Sequence, residues 1–187
     1  MIPRLLLVLL VFAGAAWRGR AADRPLAIDL TQSRVDIAVR ASGDSFTGKL
    51  ARFEPAVTVN GDGRVVTARL AFHFRDVVTG KDGRDKAMHT WQDTDKFPDG
   101  RFELTALEPV ANQPGGYTAS GKLTFHGVTR DLKFPVTIAT EANVHKVDGE
   151  ATIDTREFGL PIIRMFLVLK VDPLVRVIFH LEGRTSS

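Results

Sequence analysis

The 187-residue chain carries 25 Lys+Arg against 22 Asp+Glu and has no cysteine, which excludes disulfide stapling and thiol chemistry. Residues 1–21 hold Arg4, Arg18 and Arg20 and no acid. The remainder is therefore balanced at 22 against 22, with no basic stripe of the kind that tracks nucleic-acid phosphates.

At the amino end, Met1 and Arg4 precede an apolar run, Leu5–Ala16, and small residues follow in Gly14-Ala15-Ala16 and Gly19-Arg20-Ala21. This is the pattern of a secretory signal peptide, with cleavage after Ala16 or Ala21. The run is shorter than the roughly 20 residues of a membrane span. Residues 22–187 are thus expected to form one domain, periplasmic or secreted, working without ATP or a nicotinamide pool.

Most of the chain after residue 26 alternates with period 2, the mark of strands with one wet and one dry face. Strands are expected near 34–41, 46–53, 56–60 and 64–78. In the last of these Val66, Ala68, Leu70, Phe72 and Phe74 share a face opposite Thr67, Arg69, His73 and Arg75. Arg84–Gln92 breaks the rhythm and predicts a short helix, with Ala87, Met88 and Trp91 on one side, Asp82 as its cap and Pro98 as its stop. Further strands are expected near 101–108, 117–126, 130–140, 147–155 and 174–183. Turn signals separate the runs at Asn60-Gly61-Asp62-Gly63, Pro114-Gly115-Gly116, His126-Gly127 and Asp148-Gly149. Leu160–Leu169 is apolar around Pro161 and reads as a buried strand or covering segment. Eight or nine antiparallel strands with one helix imply a sandwich or a closed barrel.

Catalytic and metal-binding patterns are weak. His73, His89, His126, His145 and His180 are dispersed, without the close spacing of a zinc site. His73 and His180 fall on polar strand faces and read as solvated, whereas His126 marks a corner where a structural and a functional role stay equally open. Ser42, Ser45 and Ser120 lie in no nucleophile elbow. The aspartates at 76, 82, 85, 93, 95 and 99 do not form a calcium loop. What remains is the interior. An eight-stranded barrel is either filled by its side chains or holds one small ligand, and the small inward candidates Ala68, Ala106, Ala119 and Gly121 stand among Phe72, Phe74, Phe102 and Phe125. The pattern alone leaves these two outcomes even.

Three segments resemble a known family. Arg84-Asp85-Lys86-Ala87-Met88-His89-Thr90-Trp91 with Asp95-Lys96-Phe97-Pro98 is similar to its R-D-x-x-M-x-x-W…K-[YF]-P block. Lys122-Leu123-Thr124-Phe125-His126-Gly127-Val128-Thr129, followed by Pro135, resembles its G-x-L-T-[IF]-H-G-V-T signature. Ile153–Leu160 resembles its I-x-R-x-x-F-G-[IL] stretch, with Arg156 shifted by a place. The family is the YceI-like, polyisoprenoid-binding, lipocalin-like one, and the resemblance covers about Ala27 to Gly183. It departs at Leu160–Val171, where family members are often more polar and Gly-rich.

The resemblance implies an all-β protein, an eight-stranded antiparallel lipocalin-like barrel with the helix near 84–92 at an opening. It implies a non-catalytic, lipid-binding role with no cofactor beyond a bound polyisoprenoid, quinone-like or other long apolar lipid, held for transport, storage or stress protection. Expected lining residues are Phe72, Phe74, Phe102, Leu104, Tyr117, Leu123, Phe125, Phe134 and Phe179. Met88 and Trp91 are expected to cover the entrance, and Arg84 and His89 are candidates for head-group contact at the rim. A homodimer and transient membrane or membrane-protein contact fit the same picture. Two other readings stay open: an interaction module with a self-packed barrel that assists a membrane redox or stress system, and an exported hydrolase.

Overall fold

A computed structural model describes residues 22–42, 44–165 and 169–185. The expected signal peptide, residues 1–21, and Phe166–Val168 of the apolar segment lie outside the described residues. In chain order the elements are β1 (Arg24–Ile28), β2 (Arg34–Ala41), β3 (Asp44–Leu50), β4 (Glu54–Val59), β5 (Val65–His73), a 3-10 turn (Phe74–Asp76) and β6 (Val77–Val78). Then come α1 (Asp82–Gln92), β7 (Asp99–Pro109), β8 (Gly116–Phe125), β9 (Val128–Glu141), β10 (Val144–Asp154) and a second 3-10 turn (Thr155–Phe158). β11 (Arg164–Met165), β12 (Leu169–Lys170) and β13 (Leu174–Thr185) complete the chain.

Pairing closes the sheet. Running β1-β4-β5-β7-β8-β9-β10-β13, each strand pairs antiparallel with the next, and β13 returns to β1 through Leu26 opposite Thr185 and Ile28 opposite Gly183. The result is an eight-stranded antiparallel barrel whose eight strands close on themselves. The short strands β2, β3 and β6 continue three of its staves. β2 extends β1 along β13, β3 extends β4, and β6 extends β5. The breaks fall beside one another, at 29–33, 51–53 and 74–76, so three neighbouring staves bend at one level. Each break is tied locally: Ser33 Oγ donates to the Asp29 carbonyl at 2.7 Å, and Ala51 N donates to the Asp76 carbonyl at 2.8 Å. The buried Asp76 carboxylate is held by Arg52 at 2.8 Å.

These breaks correct two expected strands. The strand expected over 46–53 ends at Leu50, and the one expected over 64–78 is interrupted at Phe74–Asp76. Alternation changes phase at both breaks: Ala51 and Arg52 are both exposed after buried Leu50, and Asp76 and Val77 are both buried before exposed Val78. Two β-bulges correct the face assignments. Opposite β4, the register steps from Thr58–Thr67 to Val59–Val65, leaving Val66 as the extra residue. Val66 therefore points outward at 41% exposure, and Val65 takes its place inside. Between β7 and β8 the register steps past Thr105, which turns Leu107 into the lumen in place of Ala106. The Thr105 hydroxyl donates to the Ser120 carbonyl at 3.1 Å and fixes the bulge.

The helix begins earlier than expected and is capped differently. Lys81 occupies the N-cap without a side-chain bond, and Asp82 lies in the first turn. Asp85 anchors the entry by accepting from the Thr79 amide at 2.9 Å and hydroxyl at 2.5 Å. Asp93, left-handed at φ 53°, ends the helix well before Pro98. Ala87 is exposed, and the buried side is carried by Met88, Trp91 and Gln92. Gln92, 0% exposed, donates to the Phe97 carbonyl and accepts from the Thr94 hydroxyl, so its amide is satisfied at both ends.

Large and small residues alternate around one half of the barrel: Phe102 on β7, Ala119 and Gly121 on β8, Phe134 on β9, Gly149 and Ala151 on β10, Phe179 on β13. The three rings run side by side, with centroids 5.5 Å and 5.9 Å apart. Phe102 lies over Gly121 and Phe179 over Gly149, so closely that a Cβ on either glycine would fall far inside contact distance of the ring. Adding that methyl group overpacks the wall, a change that costs roughly 1–3 kcal/mol. Gly149→Ala is therefore expected to lower the urea midpoint, and pairing it with Phe179→Leu should restore part of the loss. Additive losses in the double variant would show that the two residues do not share this space.

His145 is 2% exposed, with Nδ1 3.1 Å from the Thr140 hydroxyl. Burial holds its pKa below the ordinary 6.5. The unfolded chain takes up a proton near 6.5 that the folded chain refuses, so this contribution is intact above 6.5 and is lost as pH falls from there toward the folded value. His145→Gln should flatten that acid-side decline in unfolding midpoints, and an unchanged decline would place its source elsewhere.

Candidate ligand-binding site: the barrel lumen

The barrel is hollow. Its interior holds a cavity of about 270 Å³, near the lower end of the roughly 300–1,000 Å³ of small-ligand sites. On β13 the lining runs from Val175 through Val177 and Phe179 to Leu181. At about 3.3 Å per residue that is roughly 20 Å of strand, or about 15 Å of axis at a tilt of about 40°. The lumen is thus long and narrow.

Aromatic and aliphatic side chains share the lining. Phe102, Phe134 and Phe179 have Ala119 and Ala151 between them. Val35, Ile37 and Val39 on β2, Leu50 on β3 and Leu70 on β5 add aliphatic surface, Val35 directly beside Phe179 and Leu70 beside Phe102. Of the lining residues only Arg69, Trp91 and Thr155 carry side-chain nitrogen or oxygen atoms, and the Trp91 indole nitrogen is committed to the Pro161 carbonyl. Arg69 is exposed, and the Thr155 hydroxyl is committed to the Pro173 carbonyl at 3.2 Å. A guest therefore meets hydrocarbon along the whole lumen, which favours an apolar chain and penalises any buried charge.

Ten of the eleven residues expected to line or cover the site do line the lumen: Phe72, Phe74, Met88, Trp91, Phe102, Leu104, Leu123, Phe125, Phe134 and Phe179. Tyr117 does not. It opens β8 opposite Pro109 and packs against the Ala119–Phe134 cluster from the far end. The aliphatic part of the lining was not expected from sequence, although the alternation of Val35, Ile37 and Val39 carried the signal.

The helix end is closed by α1 and by the chain that follows β10. Trp91 Nε1 donates to the Pro161 carbonyl at 2.8 Å, joining the two. Leu160 is buried there, and Asp172 N donates to the Arg40 carbonyl at 2.8 Å, so the chain is tied to this end on both sides of the undescribed Phe166–Val168. His126 is a corner residue. With φ 50° it forms the β8–β9 turn with Gly127, φ 72°, where a Cβ would meet the Phe97 ring at 2.8 Å. Its Nδ1 lies 2.8 Å from the Phe158 carbonyl. The signature His-Gly pair thus pins the turn to the second 3-10 segment.

The two rim candidates differ. Arg84 stacks 4.0 Å over the Phe46 ring, tying α1 to the β2–β3 hairpin. His89 packs edge-on against Phe74 at 6.2 Å, and its Nε2 is buried with no hydrogen-bond partner. His73 is solvated as expected, its side chain 68% exposed beside Asp99 at 2.6 Å, whereas His180, also expected to be solvated, is only 17% exposed and lies 2.7 Å from Asp148. Among the described residues no group of three or more His, Cys, Asp or Glu is placed to hold a metal ion, and no helix is long and apolar enough to cross a membrane.

Similarity to known proteins agrees with this architecture. The Burkholderia cenocepacia protein BcnA superposes with TM-score 0.73 at 20% identity, over 83% of this chain and 98% of its own. A polyisoprenoid-binding domain from Saccharophagus degradans, implicated in plant cell wall breakdown, gives 0.60 at 18%, over 87% and 99%. The Campylobacter jejuni YceI protein gives 0.64 at 15%, over 75% and 85%. No curated protein matches the sequence. The YceI-like domain model matches residues 26–183, the span that β1 opens and β13 closes, and the chain belongs to the YceI-like family.

Proposed function

We propose that this protein is an exported, non-catalytic carrier that holds a long apolar lipid of isoprenoid or quinone type inside its barrel. The observation that carries the reading is the lumen: closed around its circumference, long, narrow and free of available polar side chains. Each CH₂ moved from water into such a space is worth roughly 0.8 kcal/mol, and a preformed cavity spares the cost of ordering one on binding. The name of the Saccharophagus degradans neighbour adds a ligand class of the right shape. Export rests on the amino-terminal segment, whose charge, apolar run and small residues suit a secretory signal.

A hollow interior argues against the self-packed interaction module. Little supports the hydrolase reading among the described residues: the polar partners of His73, His126 and His180 are Asp99, the Phe158 carbonyl and Asp148, and the one hydroxyl partner, Thr140 beside His145, does not line the lumen.

The full chain, expressed with its leader and purified, should release a lipid on organic extraction that mass spectrometry identifies. Delipidated protein should take up added polyprenols. Ala119→Trp, which places an indole between Phe102 and Phe134, should lose that uptake while remaining folded by circular dichroism. Repeated absence of lipid, together with no uptake of polyprenols or quinones, would sink the carrier reading.

A further inference from the structure

The rim of the barrel away from α1 is notched. There each of the other seven junctions is paired out to a strand end, as in Val59 opposite Val65 and Pro109 opposite Tyr117. The junction of β5 with β7 stops short. Its last rung is Arg69 opposite Glu103, so residues 65–68 of β5 and 104–109 of β7 run on unpaired across the gap. That stretch of β5 measures roughly 13 Å. Both bulges lie just beyond the last rung: Val66 is the extra residue against β4, and Thr105 against β8. A bulge bends its strand and increases its twist, so the two strands part where their bulges begin.

The lumen reaches this notch. Val65 and Ala68 line it from one lip, Leu104 and Leu107 from the other. Arg69 borders it too, although its side chain is exposed and lies on the face opposite Ala68 and Leu70. The cavity therefore comes to the surface beside Arg69. Val66, in the unpaired part of β5, and Val110, directly after β7, are both exposed. The junction of β9 with β10 is also incomplete, beyond Val136 opposite Gly149, but Phe134 and Ala151 are buried there and seal it.

We propose that the notch is the portal of the lumen: an apolar chain threads in and out between the unpaired lips of β5 and β7 while α1 stays in place. The proposal rests on the carrier reading and adds a route to it. Entry at α1 would break the Trp91–Pro161 bond and bare Met88 and Trp91 to water. Entry at the notch breaks no ladder bond, because no rung closes it. Backbone groups on the lips are met by water there, and Val66 and Val110 give a passing hydrocarbon apolar contact outside the rim. Met88 and Trp91, expected to cover the entrance, are then the fixed floor of the tube.

The chain has no cysteine, and Trp91 lines the lumen as the only tryptophan beyond Trp17. Thiols can therefore be introduced in pairs, and Trp91 fluorescence follows the arrival and departure of a guest. In the full chain, expressed with its leader, purified and delipidated, Thr67→Cys with Ala106→Cys sets two outward thiols across the notch. A disulfide-containing bismaleimide then staples them in the folded protein. The stapled form should take up and release an all-trans polyprenol at least about tenfold more slowly than wild type. Its Kd should be unchanged, because obstructing a route alters both rates alike. Cleaving the staple with dithiothreitol should restore both rates. Two control staples should leave the rates as they are: Ala71→Cys with Arg101→Cys across an intact rung, and Phe46→Cys with Arg84→Cys, which ties α1 to β3. Wild-type rates with the notch stapled, a weaker Kd in place of slower exchange, or equal slowing by the α1 staple overturns the portal and leaves the carrier standing. Absence of uptake by unmodified wild type removes the carrier reading and the portal with it.

Discussion

An eight-stranded barrel is just wide enough for its own side chains to fill it, so a lumen survives only where large residues are kept against the wall. Here glycine does that work. Phe102 and Phe179 lie in the space that a Cβ on Gly121 or Gly149 would occupy, and Ala119 and Ala151 stand between the rings of the same wall. Each ring meets the backbone of a neighbouring strand instead of projecting to the axis. The rings keep their dispersion contacts with the wall and with one another, and the axis stays open. A wall of uniformly large side chains would close this barrel.

Closure makes the lumen rigid. The ladder from β1 round to β13 satisfies strand backbone internally, and each stave is followed in sequence by its spatial neighbour. What the ladder cannot seal is the ends. At one, Leu26, Val57 and Val59 form a compact aliphatic cluster. At the other, α1 is joined to the chain after β10 through the Trp91–Pro161 bond, and the buried Gln92–Thr94–Phe97 network locks the exit from the helix. Met88 and Trp91 are thereby held over the lumen by polar contacts that lie outside it.

Much of this was legible in the sequence, for a specific reason. Period-2 alternation reports which face of a strand is dry, and it located the Phe residues of β5, β7, β8, β9 and β13 on the lumen side. It could not report bulges. One extra residue at Val66 and another at Thr105 reverse the faces beyond them, and neither residue type signals a bulge by itself. The breaks at 51–53 and 74–76 do leave a mark, a change of phase at Ala51–Arg52 and Asp76–Val77, but each lasts only two residues and is lost beside the longer alternating runs. The strand β1 escaped notice because Arg24–Ile28 is short and contains a proline, and its existence depends on β4 and β13, far away in sequence. The helix was visible from its composition, but its caps were set by Thr79 and by left-handed Asp93, contacts that local propensity does not encode.

Polarity is distributed by the same logic that keeps the lumen open. Ion pairs such as Arg176–Glu150, at 2.6 Å, sit on the outer surface, where water shares the cost of charge and each pair contributes little. Polar atoms that are buried are paired among themselves at the lid and the staves' bends. The lumen is left to hydrocarbon, so it can recognise a chain only by length, width and the character of its walls. Recognition of anything more specific has to come from its ends, where α1 is joined to Pro161 on one side and Leu26, Val57 and Val59 cluster on the other. A tube of this kind separates grip from identity: the walls supply affinity that any suitably thin apolar chain can share, and what tells one chain from another is left to the ends.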